Sequence, residues 1–438
     1  MGSKLKLLIR NINYKLYFAL LALGFAPTVY TTIRVFFLGQ LPGDWSFSIA
    51  GQLTWVSLLY EILNEAIILP LFYFVGRVKT IKAEFANRVR TGMLVSLGAY
   101  AALSAFVFAF AEPMLELMAA DVSILAESAS YIRIESIANV FAILAQFVLV
   151  ALVTVNKSRY LYVMTGARLM VSLFSDVLLV SDLPISANLG VNGIGYSNIL
   201  VNIFLLVVSM VLLSKEGVKV FGKEALDFGW IKDFVRIGGV SGLESLVRNV
   251  AYMAMISRMV NVVGEQGTYW VANNFIWGWL LLPILQLGEL IKQEVAANEE
   301  NVRKNTLGYL GITVIIVALW LISIPAWKPF MIRVLNFTDV DKLFELVLLL
   351  VVFYVPYAIQ NVFDATFYGL GKTSYMLFES VVTNTVYYGV AFVLYATGVW
   401  MPTLTGIALL FGFGNVFDSV VSAVAYRHLI KKELSSGR

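Results

Sequence analysis

LGFAPTVYTTIR, residues 23–34, returns as IGGVSGLESLVR, residues 237–248, at a constant offset of 214. Both read as parts of membrane helices and both end on an arginine, so Arg34 superposes on Arg248. A guanidinium at mid-bilayer costs roughly 2.5–3.5 kcal/mol on insertion scales. Placing one at the same point of two related segments requires either partners that neutralise the charge or a ligand that uses it.

The repeat extends outward from there. IAGQLTWVSLL (49–59) lies over VANNFIWGWLL (271–281) at an offset of 222 and pairs Trp55 with Trp277. FAILAQFVLVALVTVNKSRY (141–160) lies over YAIQNVFDATFYGLGKTSY (357–375) and pairs two short basic turns. Apolar runs of about 20 residues, long enough to cross a hydrocarbon core, fall at 17–38, 47–75, 91–111, 131–155, 161–181 and 190–213. A second six fall at 236–260, 268–291, 306–327, 343–369, 374–398 and 402–426. An even number per half keeps the two repeats parallel, related by an axis along the membrane normal.

The expectation is an all-α polytopic membrane protein whose twelve transmembrane helices form two pseudo-symmetric six-helix lobes around a central cavity. Its parts are a cytoplasmic N-terminal segment (1–16), an N-terminal lobe (17–213), a cytoplasmic linker (214–235), a C-terminal lobe (236–426) and a cytoplasmic tail (427–438).

Composition agrees. Of 438 residues 59% are apolar and only 14% charged, where a soluble domain carries about 25% charged residues; the mean hydropathy is +0.81. Loop charge alternates. Lys4, Lys6, Arg10 and Lys15 precede helix 1, and Arg77, Lys79, Lys82, Arg88 and Arg90 follow helix 2. Lys157 and Arg159 follow helix 4, and Lys215, Lys219, Lys223 and Lys232 join the halves. The opposite loops carry Asp44, Glu112, Glu116, Asp121, Glu127, Asp182 and Glu265. The positive-inside rule makes both termini cytoplasmic, with Lys328, Arg333 and Lys342 as the exception. The net charge of +4 follows from this topology and needs no nucleic acid. The N-terminus shows no removable signal peptide, and the pattern suits a prokaryotic inner membrane; a monomer is expected.

Several enzyme classes drop out. The chain has no cysteine, which removes disulfides, thiolate nucleophiles and sulfur-ligated metals. Its one histidine, His428, lies in the tail, leaving no histidine base, metal site or proton relay. No G-x-x-x-x-G-K-[ST] loop is present to bind nucleotide phosphates. No enzyme activity, cofactor or metal is expected.

The intramembrane charges carry the functional signal. Arg34 has Tyr30 four residues before it and no carboxylate on its own helix, so it either faces the cavity as a substrate reader or pairs with another helix. Arg248 has Glu244 at that spacing. Glu61 and Glu65, at i and i+4 in LLYEILNEAIILP (58–70), project from one face. Like charges that close do not both ionise readily, which makes them candidates for the coupling ion; the alternative is static neutralisation of Arg34 or Arg168. Asp364 and Glu379 are possible cavity acids, Asp418 an uncertain third. Glu289 and Lys292 read as a local pair, Arg258 as a headgroup contact, and Arg133, Glu135 and Arg168 as a structural network. Prolines 27, 70, 283 and 356 fall inside spans, where they kink helices or free carbonyls. The glycines of LGVNGIG (189–195) and FGFGN (411–415) read as close-packing positions.

The order and texture of these pieces resemble the multidrug and toxic compound extrusion (MATE) family, within the wider superfamily that includes lipid-linked saccharide flippases. The resemblance runs from LGFAPTVYTTIRVFFLGQL (23–41) through FVGRVKTIKAEFANRVRTG (74–92), YIRIESIANVFAILAQFVLVALVTVNKSRY (131–160) and SLFSDVLLVSDLPISANLGVNGIGYSNI (172–199). It recurs from FVRIGGVSGLESLVRN (234–249) to GLGKTSYMLFESVVTN (369–384). It implies a secondary active exporter working by alternating access, coupled to H+ or Na+. It places Trp55 and Trp277 on cavity-facing helices 2 and 8, and matches Asp176 to a family acidic residue tied to coupling. Members commonly carry an acid on helix 1 where this chain has Arg34. An amphipathic substrate that is anionic or zwitterionic is therefore expected, held by Arg34 and Arg248 and stacked on Trp55 and Trp277. The alternative is a flippase for a lipid-linked or phosphate-bearing substrate.

Overall fold

The computed structural model describes residues 12–41, 45–78, 80–154, 159–218 and 225–432. Among them there is no strand, and twelve long helical segments follow one another. They are α1 (Tyr14–Leu38), α2 (Ser46–Gly76), α3 (Lys82–Ala109), α4 (Leu125–Thr154), α5 (Arg159–Leu179) and α6 (Val191–Lys215). Then come α7 (Ile231–Tyr252, extended by Met253–Ser257 and Arg258–Val262), α8 (Gln266–Phe275, Ile276–Leu280 and Leu282–Ala297), α9 (Glu300–Arg333) and α10 (Val340–Gly369). α11 (Thr373–Val382, Thr383–Tyr388 and Gly389–Ala396) and α12 (Leu404–Lys432) complete the set. Nine of the described helices are long and apolar enough to cross a membrane, ten if the two arms of α8 count as one span. α2 and α7 also have the length; α2 carries Glu61 and Glu65, and α7 carries Glu244 and Arg248. Lys4, Lys6, Arg10, Asp44, Lys79, Lys157, Lys219 and Lys223 lie outside the described residues.

Several helices run past the apolar windows expected for them. α3 begins at Lys82 rather than 91 because its first turns neutralise themselves: Arg88 meets Glu84 one turn back at 2.5 Å and donates to the Phe74 carbonyl at 2.7 Å. α9 reaches Arg333 with Pro325 and Pro329 inside it. The exceptional outer lysine Lys328 is thereby held at 2.5 Å by Asp341 and lies over the Phe344 ring, so its charge is offset locally. Between α3 and α4 a short helix (Ala111–Leu117) leads to a 3₁₀ turn (Val122–Ile124). Asp121 caps that turn, and hydrogen bonds from the Ser123 hydroxyl and amide hold its carboxyl below its ordinary value.

Pro27, Pro70 and Pro356 sit inside continuous helices. The proline at 283 lies just after a real break, where the arms of α8 bend by 52°. The bend follows a π-helical turn at Ile276–Leu280, and similar turns interrupt α7 at Met253–Ser257 and α11 at Thr383–Tyr388. A π turn adds a residue to the helical repeat and offsets the face that follows.

The helices pack as two compact units, Ile33–Gly267 and Met1–Thr32 with Thr268–Arg438. These borders differ from those of the sequence repeat, since packing places α7 with α2–α6. The reason is legible in α7: a Cβ on Gly238 would lie 1.9 Å from the Ala66 carbonyl oxygen, and one on Gly242 would meet Ala66 Cβ at 2.8 Å. Two glycines one turn apart let α7 lie directly on α2, the small-residue contact favoured where lipid supplies no hydrophobic drive. The core of this unit gathers Trp55, Tyr60, Leu71, Phe74, Phe147 and Phe234. Of the glycines expected to pack closely, Gly190 has open space around it and takes a positive φ of 61°, a turn position before α6, while others do pack. Gly193 leaves no room for a Cβ against the Leu179 carbonyl, Gly412 none against Phe353, and Gly414 none against Tyr388. In the other unit, Phe363 stacks on Tyr426 and Phe367 on Tyr375.

Candidate functional site

Arg34 lies near the C-terminal end of α1, just before its last turn, and Asp176 in the C-terminal part of α5. The two side chains meet as a fork: Nε donates to Oδ2 at 2.6 Å and Nη2 to Oδ1 at 3.1 Å. Arg34 is 12% exposed and Asp176 not at all. A bidentate guanidinium–carboxylate pair is the strongest protein ion pair, and here it resolves the cost of the intramembrane arginine. The presumed substrate reader and the presumed coupling acid are thus one unit. Beside it, Glu135 of α4 is buried, feels the charges of Arg34 and Asp176, and is held by the Asn198 amide at 2.6 Å and by the Tyr131 hydroxyl. One guanidinium therefore faces two carboxyls. Glu135 was expected in a network with Arg133 and Arg168. Arg133 instead turns to Glu112 at 3.0 Å and to the Phe108 carbonyl.

A second arginine cluster lies between α2 and α7. Arg248 Nη2 reaches Glu65 at 2.7 Å and Glu61 at 3.3 Å, while Glu244, its expected i−4 partner, is 3.9 Å from Nε. The Glu61–Glu65 pair thus neutralises Arg248 rather than Arg34 or Arg168. This cluster is more open, with Arg248 and Glu61 each 41% exposed. It borders a cleft of about 260 Å³ lined by Tyr60, Glu61, Asn64, Tyr100, Asn139 and Gln146. One guanidinium is thus shared among three carboxyls.

The third cluster centres on Gln360 of α10. Its Nε2 lies 2.7 Å from Glu379, 2.7 Å from Asp418 and 3.1 Å from Asp364. Ser422 donates to Asp364 and Thr383 to Asp418, each at 2.6 Å, and Ser419 donates to Gln360 Oε1 at 2.9 Å. Two amide hydrogens face three carboxyls, so at least one hydrogen is shared between two of them. Glu379 is 2% exposed and one of its carboxyl oxygens has no hydrogen-bond partner. The possible cavity acids Asp364 and Glu379 are thus brought together, with Asp418 as third member. Gln360 itself was not singled out from the sequence, although an amide inside an apolar span was the available signal.

The repeat-related tryptophans differ. Trp55 is 1% exposed and bonded to Gln52, which pairs with Asn261 through both side-chain amides. Its ring is a core element and offers no face to a ligand. Trp277 is 38% exposed, donates to the Tyr354 hydroxyl at 3.1 Å and meets the Tyr354 and Tyr357 rings edge-on. Glu289 and Lys292 form their expected local pair at 2.6 Å, and Arg258 donates to the Leu117 carbonyl. Among the described residues no group of three His, Cys, Asp or Glu is placed to hold a metal ion.

Residues 81–178 match the MatE family model, and no curated protein matches the chain. Solved structures are similar over nearly its whole length. An inward-facing conformation of a multidrug resistance MATE family transporter of the MOP superfamily has 17% identity and a TM-score of 0.79, covering 94% of this chain and 96% of that one. An outward-facing conformation of such a transporter has 16% identity and a TM-score of 0.70, covering 98% of each. A MOP superfamily transporter from Pyrococcus furiosus, described as having a binding pocket whose reverse polarity suggests a different function, has 16% identity and a TM-score of 0.67, covering 97% of each. The chain has the MATE transporter fold and, over residues 81–178, the sequence pattern of the MatE family.

Proposed function

We propose that the chain is a MATE-like secondary active exporter that moves an amphipathic, anionic or zwitterionic organic solute by alternating access of two six-helix lobes (17–213 and 236–426). A proton or sodium gradient drives it. The observation that carries this reading is the Arg34–Asp176 fork. A planar guanidinium presents two parallel donors, here taken by the Asp176 carboxylate, and the same edge fits the carboxylate, sulfonate or phosphate of a substrate. The inward- and outward-facing relatives support the alternating-access part, and the reverse-polarity relative supports the anion part. Glu61, Glu65 and Asp176, each set against an arginine, are the groups assigned to ion coupling, with Asp364 and Glu379 as further acids. Arg248 serves the substrate beside Arg34, and the exposed ring of Trp277 suits its apolar part. The protein works in a prokaryotic inner membrane with both termini cytoplasmic.

The test is transport in proteoliposomes under an imposed pH or sodium gradient, with anionic and cationic amphiphiles compared. Wild type moves anions, and monodisperse Arg34→Ala loses at least about tenfold, the equivalent of one charge-assisted hydrogen bond. Movement of cations alone, with Arg34→Ala merely unstable, overturns the assignment.

A further inference from the structure

We propose that the groove between α10 and α12 binds an anionic phospholipid of the bilayer, with one acyl chain lying along the groove and the phosphate held by Arg427. The groove has a volume of about 270 Å³ and lies wholly within the unit formed by Met1–Thr32 and Thr268–Arg438. Pro356, Ile359 and Phe363 of α10 line it with Val416, Val420 and Val424 of α12. Spacings of three and four residues put each set on one face of its helix. Ile359, Val420 and Val424 are exposed, so the groove is open along its length. Its wall is partly fixed in advance: Phe363 stacks on Tyr426 at 4.5 Å, and the Tyr426 hydroxyl is bonded to Thr306 of α9. Two polar side chains sit in this wall, Gln360 and Ser419, and they are satisfied already. Ser419 donates to Gln360 Oε1, and the Gln360 amide is taken by the three acids behind it. What remains to be covered is apolar.

Length and charge select the occupant. From Val416 to Arg427 the groove follows α12 for about 16 Å at a rise of about 1.5 Å per residue. That is half of a hydrocarbon core of about 30 Å, the depth of one leaflet. An acyl chain that fills the groove from the level of Val416 therefore brings its headgroup to Arg427. No acid lines the groove, and Arg427 makes no ion pair among the described residues. The neighbouring His428 lies instead against the Tyr375 ring of α11. A guanidinium at the end of an apolar slot between two membrane helices is the arrangement that selects a phosphate-bearing, net anionic headgroup over a zwitterionic one. Once seated, the chain covers Gln360 and Ser419 and so keeps water from Asp364, Glu379 and Asp418 behind them. On the orientation proposed above this is a lipid of the cytoplasmic leaflet. The inference is independent of what the transporter moves.

The experiment counts retained lipid. Full-length protein is reconstituted in vesicles of equal parts phosphatidylglycerol and phosphatidylcholine, extracted in mild detergent and weighed by native mass spectrometry. Wild type is expected to keep one phosphatidylglycerol per chain in preference to phosphatidylcholine. Added phosphatidylglycerol also raises its unfolding midpoint, as a ligand of the folded state does. Arg427→Gln lowers phosphatidylglycerol retention about fivefold, the loss expected for one basic contact. Val424→Trp, which puts an indole into the slot from an exposed position, removes the bound lipid. Lys215→Gln, exposed at the end of α6, keeps it and so separates the groove from general attraction of anionic lipid to basic helix ends. Equal retention of the two lipids by wild type overturns the proposal, as does a loss in Lys215→Gln equal to that in Arg427→Gln. Wild-type retention in Val424→Trp overturns it as well. So does a wild type that holds no lipid, or one that forms a dimer dissolved by Val424→Trp, which makes a second copy of the chain the occupant. The wild-type comparison of the two lipids needs no variant, so a variant that fails to fold leaves the test intact.

Discussion

Arg34 and Arg248 occupy equivalent places in the sequence repeat yet differ in what holds them. Arg34 sits at 12% exposure in a fork on a fully buried carboxylate, whereas Arg248 is 41% exposed among three acids. Removing one partner of a buried pair leaves an uncompensated charge. Asp176→Ala is therefore expected to cost about 3–5 kcal/mol, with the Arg34→Met/Asp176→Leu double variant recovering most of it. Thermal unfolding of the detergent-solubilised variants measures both, and equal losses in single and double variants would show that the pair is not coupled. Screening by solvent makes Glu65→Gln, beside Arg248, much milder, about 1 kcal/mol or less. Each charged position was legible in the sequence, because a charge in an apolar run stands out. Their pairing was not, since Arg34 and Asp176 are 142 positions apart and no local pattern joins them.

At the scale of the helix, the α2–α7 contact depends on the absence of two side chains. Gly238→Ala puts a methyl group into the Ala66 carbonyl, and overpacking of this kind typically costs about 1–3 kcal/mol. The neighbouring Gly239 has nothing within 4 Å of its would-be Cβ, so Gly239→Ala is expected to be neutral or to gain up to about 1 kcal/mol from helix propensity. Unfolding midpoints of the two variants side by side separate packing from propensity, and the same shift in both would remove the close-contact explanation. Helix positions were readable from apolar length. The π turns and the 52° bend of α8 were not: Pro283 announced a break, but the proline at 356 lies in a continuous helix, and only the neighbouring helices distinguish the two.

For the whole molecule, the absence of cysteine allows the proposed orientation to be read directly. Lys215→Cys, exposed at the end of α6, is expected to react with an impermeant maleimide only after cells are opened; Asp182→Cys, exposed after α5, reacts in intact cells. The reverse pattern would invert the topology. Gln360→Leu removes the amide shared by Asp364, Glu379 and Asp418. Stranding those buried acceptors is expected to cost about 1–3 kcal/mol. An unfolding midpoint at neutral pH unchanged from wild type would show that the three acids satisfy one another without it.

The sequence by itself determined the helical class, the order of the twelve segments, the internal repeat and the odd polarity of helix 1, because each is written in local composition or in fixed spacing. Only the tertiary structure decided which acid answers which arginine, that Trp55 is core while Trp277 is exposed, and that α7 packs with α2–α6. Those outcomes depend on which surfaces approach closely enough to exclude a side chain or close a hydrogen bond. Closeness of that kind arises between segments far apart in the chain, where spacing along the sequence carries no distance information.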